Sequence, residues 1–176
     1  ADITGDGADE MLVASPWFEM PTDGQSLLDS GLVADIPALA GAVFLLTSEQ
    51  ILSTDRSLVF PWEMGPMWWG DQSGDQAGAS LSCDADHDGD GVADIVIGAP
   101  LADVTVDLPD AGSVYLISGA SLPDDGPLGD VMTTRIEGDT ANGWLGMDLH
   151  ALDLDPTDGE EAWDLAIGAP GAQNGR

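Results

Sequence analysis

At 176 residues and 18.1 kDa, with 43% hydrophobic residues and a mean hydropathy of +0.03, the chain has the size and apolar content of one packed domain, which excludes the disordered class. Against 33 Asp and Glu stand three Arg and no Lys, a formal net charge of −30, which argues against nucleic acid or an anionic membrane as partner because little is present to displace phosphate counterions. Asp supplies 26 of the acids, and Asp is a residue of turns and of oxygen-donor cation loops. The acidity is therefore either diffuse, as in a salt-adapted surface, or gathered into sites that a metal neutralises.

The chain opens on an acidic stretch, DITGDGADEMLVASP (2–16), that aligns without gaps with DHDGDGVADIVIGAP (86–100). A third copy, DLAIGAP, occupies 164–170. Next comes AGAVFLLTS (40–48), repeated as AGSVYLISG (111–119), and then WWGDQSGDQAG (68–78), repeated as IEGDTANGWLG (136–146). Gly41 to Gly112 spans 71 residues, Gly78 to Gly146 spans 68 and Pro100 to Pro170 spans 70, so the period is near 70. Pro16 to Pro100 is longer, at 84. The excess of 13 falls in one inserted loop over 17–39, where a short helix is expected around Ser26–Val33.

Each unit reads as four short strands. Val43–Thr47 and Val114–Ser118 follow a glycine turn; Ala79–Cys83 and Met147–Ala151 lead into acidic loops; Ile95-Val96-Ile97 is a β-branched run suited to burial on both faces; and the strand around Ile136 lies outermost. A four-stranded repeat of this length is a propeller blade. The expected fold is all-β: propeller blades of four antiparallel strands, about two and a half of them, in one domain. The expected division is a partial blade over 1–67 carrying the 17–39 insertion, a complete blade with an adjoining outer strand over 68–138, and a partial blade over 139–176.

The middle loop places Asp86, Asp88, Asp90 and Asp94 at positions 1, 3, 5 and 9, with Gly91 at the turn and the Val92 carbonyl at position 7. Alternate carboxylates converge on one centre, and hard oxygen donors in that number suit structural Ca²⁺. Left empty, two carboxylates about 4 Å apart repel by roughly 4 kcal/mol at an effective dielectric near 20. An EF-hand is excluded because position 12 is Ile97 in place of a bidentate Glu and because a strand follows. In the first loop Asp2, Thr4, Asp6, the Ala8 carbonyl and Glu10 take the corresponding places, with Asp9 as an alternative to Glu10. The third is longer, with Asp153, Asp155, Asp158 and Asp164 as its candidates.

These residues resemble the FG-GAP repeats of the integrin α-chain β-propeller and its bacterial relatives. Ile97-Gly98-Ala99-Pro100 and Ile167-Gly168-Ala169-Pro170 match the second half of that motif, and Val13-Ala14-Ser15-Pro16 is a degenerate copy. Ala77-Gly78 and Leu145-Gly146 stand where the family has Phe-Gly. The resemblance implies a Ca²⁺-stabilised, usually seven-bladed propeller on a secreted or cell-surface protein, with ligands commonly bound on the face opposite the metal loops. On that basis the chain is expected to be a segment of a longer propeller, with self-association of short chains as the alternative.

The functional expectation is a non-catalytic adhesion or ligand-binding module for a protein or glycan. The alternative is the scaffold propeller of a secreted hydrolase or polysaccharide lyase. No catalytic residue is nominated: His87 and His150 have no nucleophile or His/Cys cluster near them in sequence, and 33 acids make any pair of carboxylates uninformative. Cys83 is read as a buried strand residue and, being alone, forms no disulfide within the chain. No apolar run approaches the roughly 18 residues of a membrane span, so no membrane insertion is expected. In the aromatic group Phe60, Trp62, Trp68 and Trp69, Trp68 is read as core. Trp69 aligns with the polar Glu137 and is read first as packing beneath the inserted loop, with stacking on a ligand as its other reading.

Overall fold

Ile95, Val96 and Ile97 lie within β5 (Asp94–Ala99), a strand buried along its whole length. This is what a β-branched run with no polar alternation calls for. In this computed structural model, which describes residues 2–18, 36–52, 65–152, 154 and 163–172, β5 is an inner strand of an antiparallel four-stranded sheet in the order β4-β5-β6-β8. The others are β4 (Ser80–Ala85), β6 (Ser113–Ile117) and β8 (Thr134–Glu137). Register is fixed by pairs such as Ile97 with Leu81 on one side and with Tyr115 on the other.

A second sheet precedes it, formed by β1 (Met11–Ser15), β2 (Ala42–Leu46) and β3 (Met67–Trp69). Its fourth member is β7 (Gly126–Pro127), which runs parallel to β3 and comes from the connection between β6 and β8. Pro127 lacks an amide proton, which suits it to an edge. A third, two-stranded sheet pairs β9 (Asp148–Leu152) with β10 (Asp164–Gly168). β3 is hydrogen-bonded to β2, so the strand at Trp68 and Trp69 belongs to the first of these two sheets in chain order.

Alternation along β5 sorts the core into two joints. Ile95 and Ile97 point toward the first sheet and cluster with Val43, Leu45, Trp68, Tyr115 and Ile117. Val96 points the other way, with Val114 and Leu149, and Leu165 and Ile167 of the third sheet pack against that group. Each such aliphatic side chain contributes about 1.5–3 kcal/mol on burial, and Ile97→Ala at this double-sided position costs about 2–5 kcal/mol. β4 packs on β9 and β1 on β4, so the sheets stand side by side with their leading strands adjacent, the arrangement of neighbouring propeller blades.

Among the described residues two short α-helices interrupt the strands, α1 (Ser48–Leu52) after β2 and α2 (Leu128–Val131) before β8. α1 starts with a reciprocal cap in which Thr47 N–H donates to Gln50 Oε1 at 2.8 Å and Gln50 N–H donates to Thr47 Oγ1 at 3.4 Å. The helix expected at Ser26–Val33, and Phe60 and Trp62, lie outside the described residues.

Candidate metal centres

The loop between β4 and β5 is held open by its own carboxylates. Asp86 Oδ1 accepts the amides of Gly89 at 2.7 Å and Asp90 at 3.2 Å, and Oδ2 accepts that of Gly91 at 2.7 Å. Asp88 Oδ1 accepts from Asp90 N–H at 3.1 Å. Asp94, only 2% exposed, closes the loop: its Oδ2 takes the amides of His87 and Asp88 at 2.8 and 3.1 Å, while Oδ1 takes that of Gly119 at 3.2 Å. One carboxylate oxygen from each of Asp86, Asp88 and Asp94 lies within 4.8 Å of the other two.

Asp90 stands apart from that trio. Its Oδ1 accepts Val92 N–H at 2.8 Å and its Oδ2 accepts the Ser118 hydroxyl at 3.2 Å, so the position-5 side chain ties the loop to the end of β6.

The first loop repeats this pattern. Asp2 Oδ1 and Oδ2 accept the amides of Asp6 and Gly7 at 3.0 and 2.9 Å, and Asp6 Oδ1 accepts that of Ala8 at 2.8 Å, as Asp90 does from Val92. Glu10, 6% exposed, closes the loop by accepting Ile3 N–H at 2.8 Å and Thr4 N–H at 3.2 Å, and the Thr4 hydroxyl donates to its other oxygen at 3.3 Å. Asp2, Asp6 and Glu10 form the second convergent trio. Asp9, the alternative to Glu10, is not a member of it.

In the third loop Asp164 Oδ2 accepts Leu154 N–H at 2.9 Å, the counterpart of His87 to Asp94 and Ile3 to Glu10. Asp153, Asp155 and Asp158 lie outside the described residues.

The donor sets fit Ca²⁺. Both trios are all oxygen, and ligands at 2.3–2.6 Å from a common ion lie no more than about 5 Å apart, which the 4.8 Å separations satisfy. Bound there, the ion would supply positive charge that cancels carboxylate repulsion. Asp88 already feels the crowding: its carboxyl is raised by desolvation and then by the charge of Asp94, followed by those of Asp90 and Asp86. Asp86 moves the opposite way. Desolvation acts to raise it, but the amides of Gly91, Gly89, Asp90 and Asp88 together hold it below the ordinary carboxylate range.

Three partners of the middle loop were not foreseen from sequence. Ser118 and Gly119 reach it from the end of the AGSVYLISG repeat, whose recurrence was visible but whose contact depends on the strand order. Trp163 hitches the third loop to it: Trp163 N–H donates to Asp86 O at 3.0 Å, and His87 Nδ1 lies 2.9 Å from Trp163 O. A carbonyl can only accept, so Nδ1 is the donor in this contact. Among the described residues His87 Nε2, which is buried, has no hydrogen-bond partner.

Trp69, the candidate stacking platform, is 7% exposed and belongs to a core group with Phe44, Met67 and Ile36. This is its packing reading and not the stacking one: Trp69 and Trp68 point to opposite faces of β3, and both faces are covered. Cys83 is half-buried, and burial pushes its thiol up, with the charge of Asp84 adding to the effect.

Residues 77–117, which run from Ala77-Gly78 through the middle loop to the end of β6, match the FG-GAP repeat family. A comparison with curated proteins found no match to the chain.

Proposed function

Starting from the FG-GAP repeat at residues 77–117, we propose that the chain is a calcium-stabilised propeller segment serving outside the cell as a non-catalytic binding or adhesion module for a protein or glycan. The observation that carries this reading is the pair of convergent carboxylate trios, Asp2/Asp6/Glu10 and Asp86/Asp88/Asp94, in equivalent loops of successive sheets. Weak oxygen sites of this kind match an environment rich in Ca²⁺. At about 1 mM free ion and dissociation constants of about 10⁻⁴–10⁻³ M, each site adds about 0.4–1.4 kcal/mol.

In this reading the ions tie each loop to the strand that follows, where a small secreted domain would otherwise use disulfides. Recognition would fall to the loops between blades. Isothermal titration with Ca²⁺, followed by glycan-array and protein-capture screens in Ca²⁺ and in chelator, tests both halves. Saturable Ca²⁺ uptake together with ligand capture that does not turn the ligand over is the expected result; no uptake at millimolar Ca²⁺ sinks the metal half, and turnover of a captured polysaccharide sinks the non-catalytic half.

A further inference from the structure

The first and middle loops touch, and they touch through residues that hold their ligand carboxylates. Gly119, just past the end of β6, gives its amide proton to Asp94 Oδ1 at 3.2 Å. It is buried between the two loops. A Cβ there would lie 2.9 Å from the Ile3 carbonyl oxygen of the first loop and 2.9 Å from Val92 Cγ1 of the middle one, and would also collide with the Ala93 carbonyl oxygen. No side chain fits in that space, so glycine is what lets the two loops close on each other.

Ile3 in turn gives its amide proton to Glu10 Oε2 at 2.8 Å, and its side chain is fully buried in the cluster that holds Ile95 and Ile117. A continuous run of contacts therefore leads from the Glu10 carboxylate through Ile3 and Gly119 to the Asp94 carboxylate. Val92 makes a second link. Its Cγ1 faces Gly119, and its Cγ2 lies 3.8 Å from where a Cβ of Gly5 would stand. The same residue supplies the position-7 carbonyl of the middle loop, and its amide is held by Asp90, whose other carboxylate oxygen accepts the Ser118 hydroxyl.

We propose that the first and middle sites take up Ca²⁺ with positive cooperativity, the seat of Val92 and Gly119 against Ile3 and Gly5 being the element that both sites bias. The inference rests on the calcium reading given above. In the absence of the ion the carboxylates of each loop repel one another, which loosens the seat from both sides. With the middle site filled, Asp94 is fixed and holds the Gly119 amide. Gly119 then keeps Ile3 in place, and the Ile3 amide keeps Glu10 turned toward its own trio, so less ordering is left for the first loop to undergo. Such coupling is reciprocal: filling either site raises the affinity of the other by the same factor, about fivefold or more. Direct repulsion between two ions acts the other way, but through solvent it is screened beyond about 8 Å at physiological salt, whereas contact through a packed seat is not.

The test follows two amides by ¹H–¹⁵N NMR as Ca²⁺ is titrated into the 176-residue chain at physiological salt: Gly7, bonded to Asp2 Oδ2 at 2.9 Å, and Gly91, bonded to Asp86 Oδ2 at 2.7 Å. Asp6→Ala, at an exposed position of the first trio, should raise the Gly91 midpoint about fivefold, and Asp88→Ala, exposed in the second trio, should raise that of Gly7 by the same factor. Val92→Ala takes methyl groups from the seat and keeps the carbonyl. In that background each of the two substitutions should move the other site's midpoint by less than about twofold, whatever the midpoints themselves become. Midpoints that are independent or that fall in the native background overturn the coupling and leave the calcium reading standing. A shift that persists undiminished in the Val92→Ala chain overturns the seat as its carrier. If neither amide responds to millimolar Ca²⁺, the calcium reading falls and the coupling falls with it.

Discussion

Glu10 stands in the first loop where Asp94 stands in the second: each is buried and each accepts the two amides that begin its loop, those of Ile3 and Thr4 in one case and of His87 and Asp88 in the other. Asp94→Asn keeps an oxygen for the His87 and Asp88 amides, turns its NH2 toward the Gly119 amide and removes a charge from the trio. The expected outcome is a loss of about 1–2 kcal/mol in chelator and a reduced melting-temperature gain on adding Ca²⁺. Asp94→Ala, which strands all three amides, costs about 2–4 kcal/mol with or without the ion. Scanning calorimetry in Ca²⁺ and in EGTA separates the two variants, and a full Ca²⁺ increment in Asp94→Asn would remove Asp94 from the ligand set. Glu10→Gln should repeat the pattern at the first loop.

Asp75 gives a pH signature unrelated to the loops. It is 2% exposed, and burial pushes its carboxyl up to about 6, with the Gln72 amide opposing and the charges of Asp71 and Asp103 adding to the rise. A value raised in the folded state means that the unfolded chain releases this proton first as pH increases. Stability attributable to Asp75 is therefore full below about pH 4, falls between about 4 and 6, and stays low above, by about 3 kcal/mol. Asp75→Asn should remove that slope and raise the melting temperature at pH 7; parallel pH profiles for the two proteins would refute the assignment.

Gly78 and Gly146 are the glycines of the Ala-Gly and Leu-Gly pairs, at φ of +85° and +87°. A Cβ at Gly146 would meet Ser113 O at 2.9 Å and Val114 Cγ2 at 3.0 Å. Left-handed strain of about 1–2 kcal/mol adds to overpacking of about 1–3 kcal/mol, so Gly146→Ala should lose about 2–5 kcal/mol in urea unfolding. A loss under 1 kcal/mol would mean that the turn relaxes.

Tyr115→Phe removes only the hydroxyl that reaches Asp71, whose other oxygen keeps the Gly129 amide at 2.7 Å. The expected loss is about 1 kcal/mol. Burial and the Asp71 charge also raise the phenol above its ordinary range, against the pull of Arg135, whose guanidinium carbon lies 5.3 Å from the ring centre. A spectrophotometric titration should accordingly show Tyr115 ionising only as the protein unfolds in alkali.

The repeat and the strands were legible because each obeys a local rule: β-branched runs make strands and glycine takes positive φ. In the middle loop alternation brings Asp86, Asp88 and Asp94 together, but Asp90 turns to Ser118. Trp69 kept two readings, since its aligned partner Glu137 is polar while its own face of β3 is covered by Phe44 and by Ile36 of the 17–39 segment. β3 shows a related limit: Trp68 and Ile136 mark the repeat, but only hydrogen bonding to β2 decides which unit the strand completes. Contacts such as Asp90 with Ser118 join residues 28 apart and follow from strand order, which no local pattern encodes.

The hitch at Trp163 has an evolutionary consequence. Between Ala85 and its partner Asp94 lie residues 86–93, and between Leu152 and its partner Asp164 lie 153–163, so the third loop is longer although both loops end on the same carboxylate position. By binding Asp86 and His87 immediately before β10 begins, Trp163 clamps the exit of the longer loop. Residues gained or lost upstream of the clamp need not slide β10 against β9, a slip that would turn Leu165 and Ile167 from core to solvent. Insertions can accumulate there with the pleat undisturbed, which makes this loop the place where related chains could diverge in length at least cost to folding.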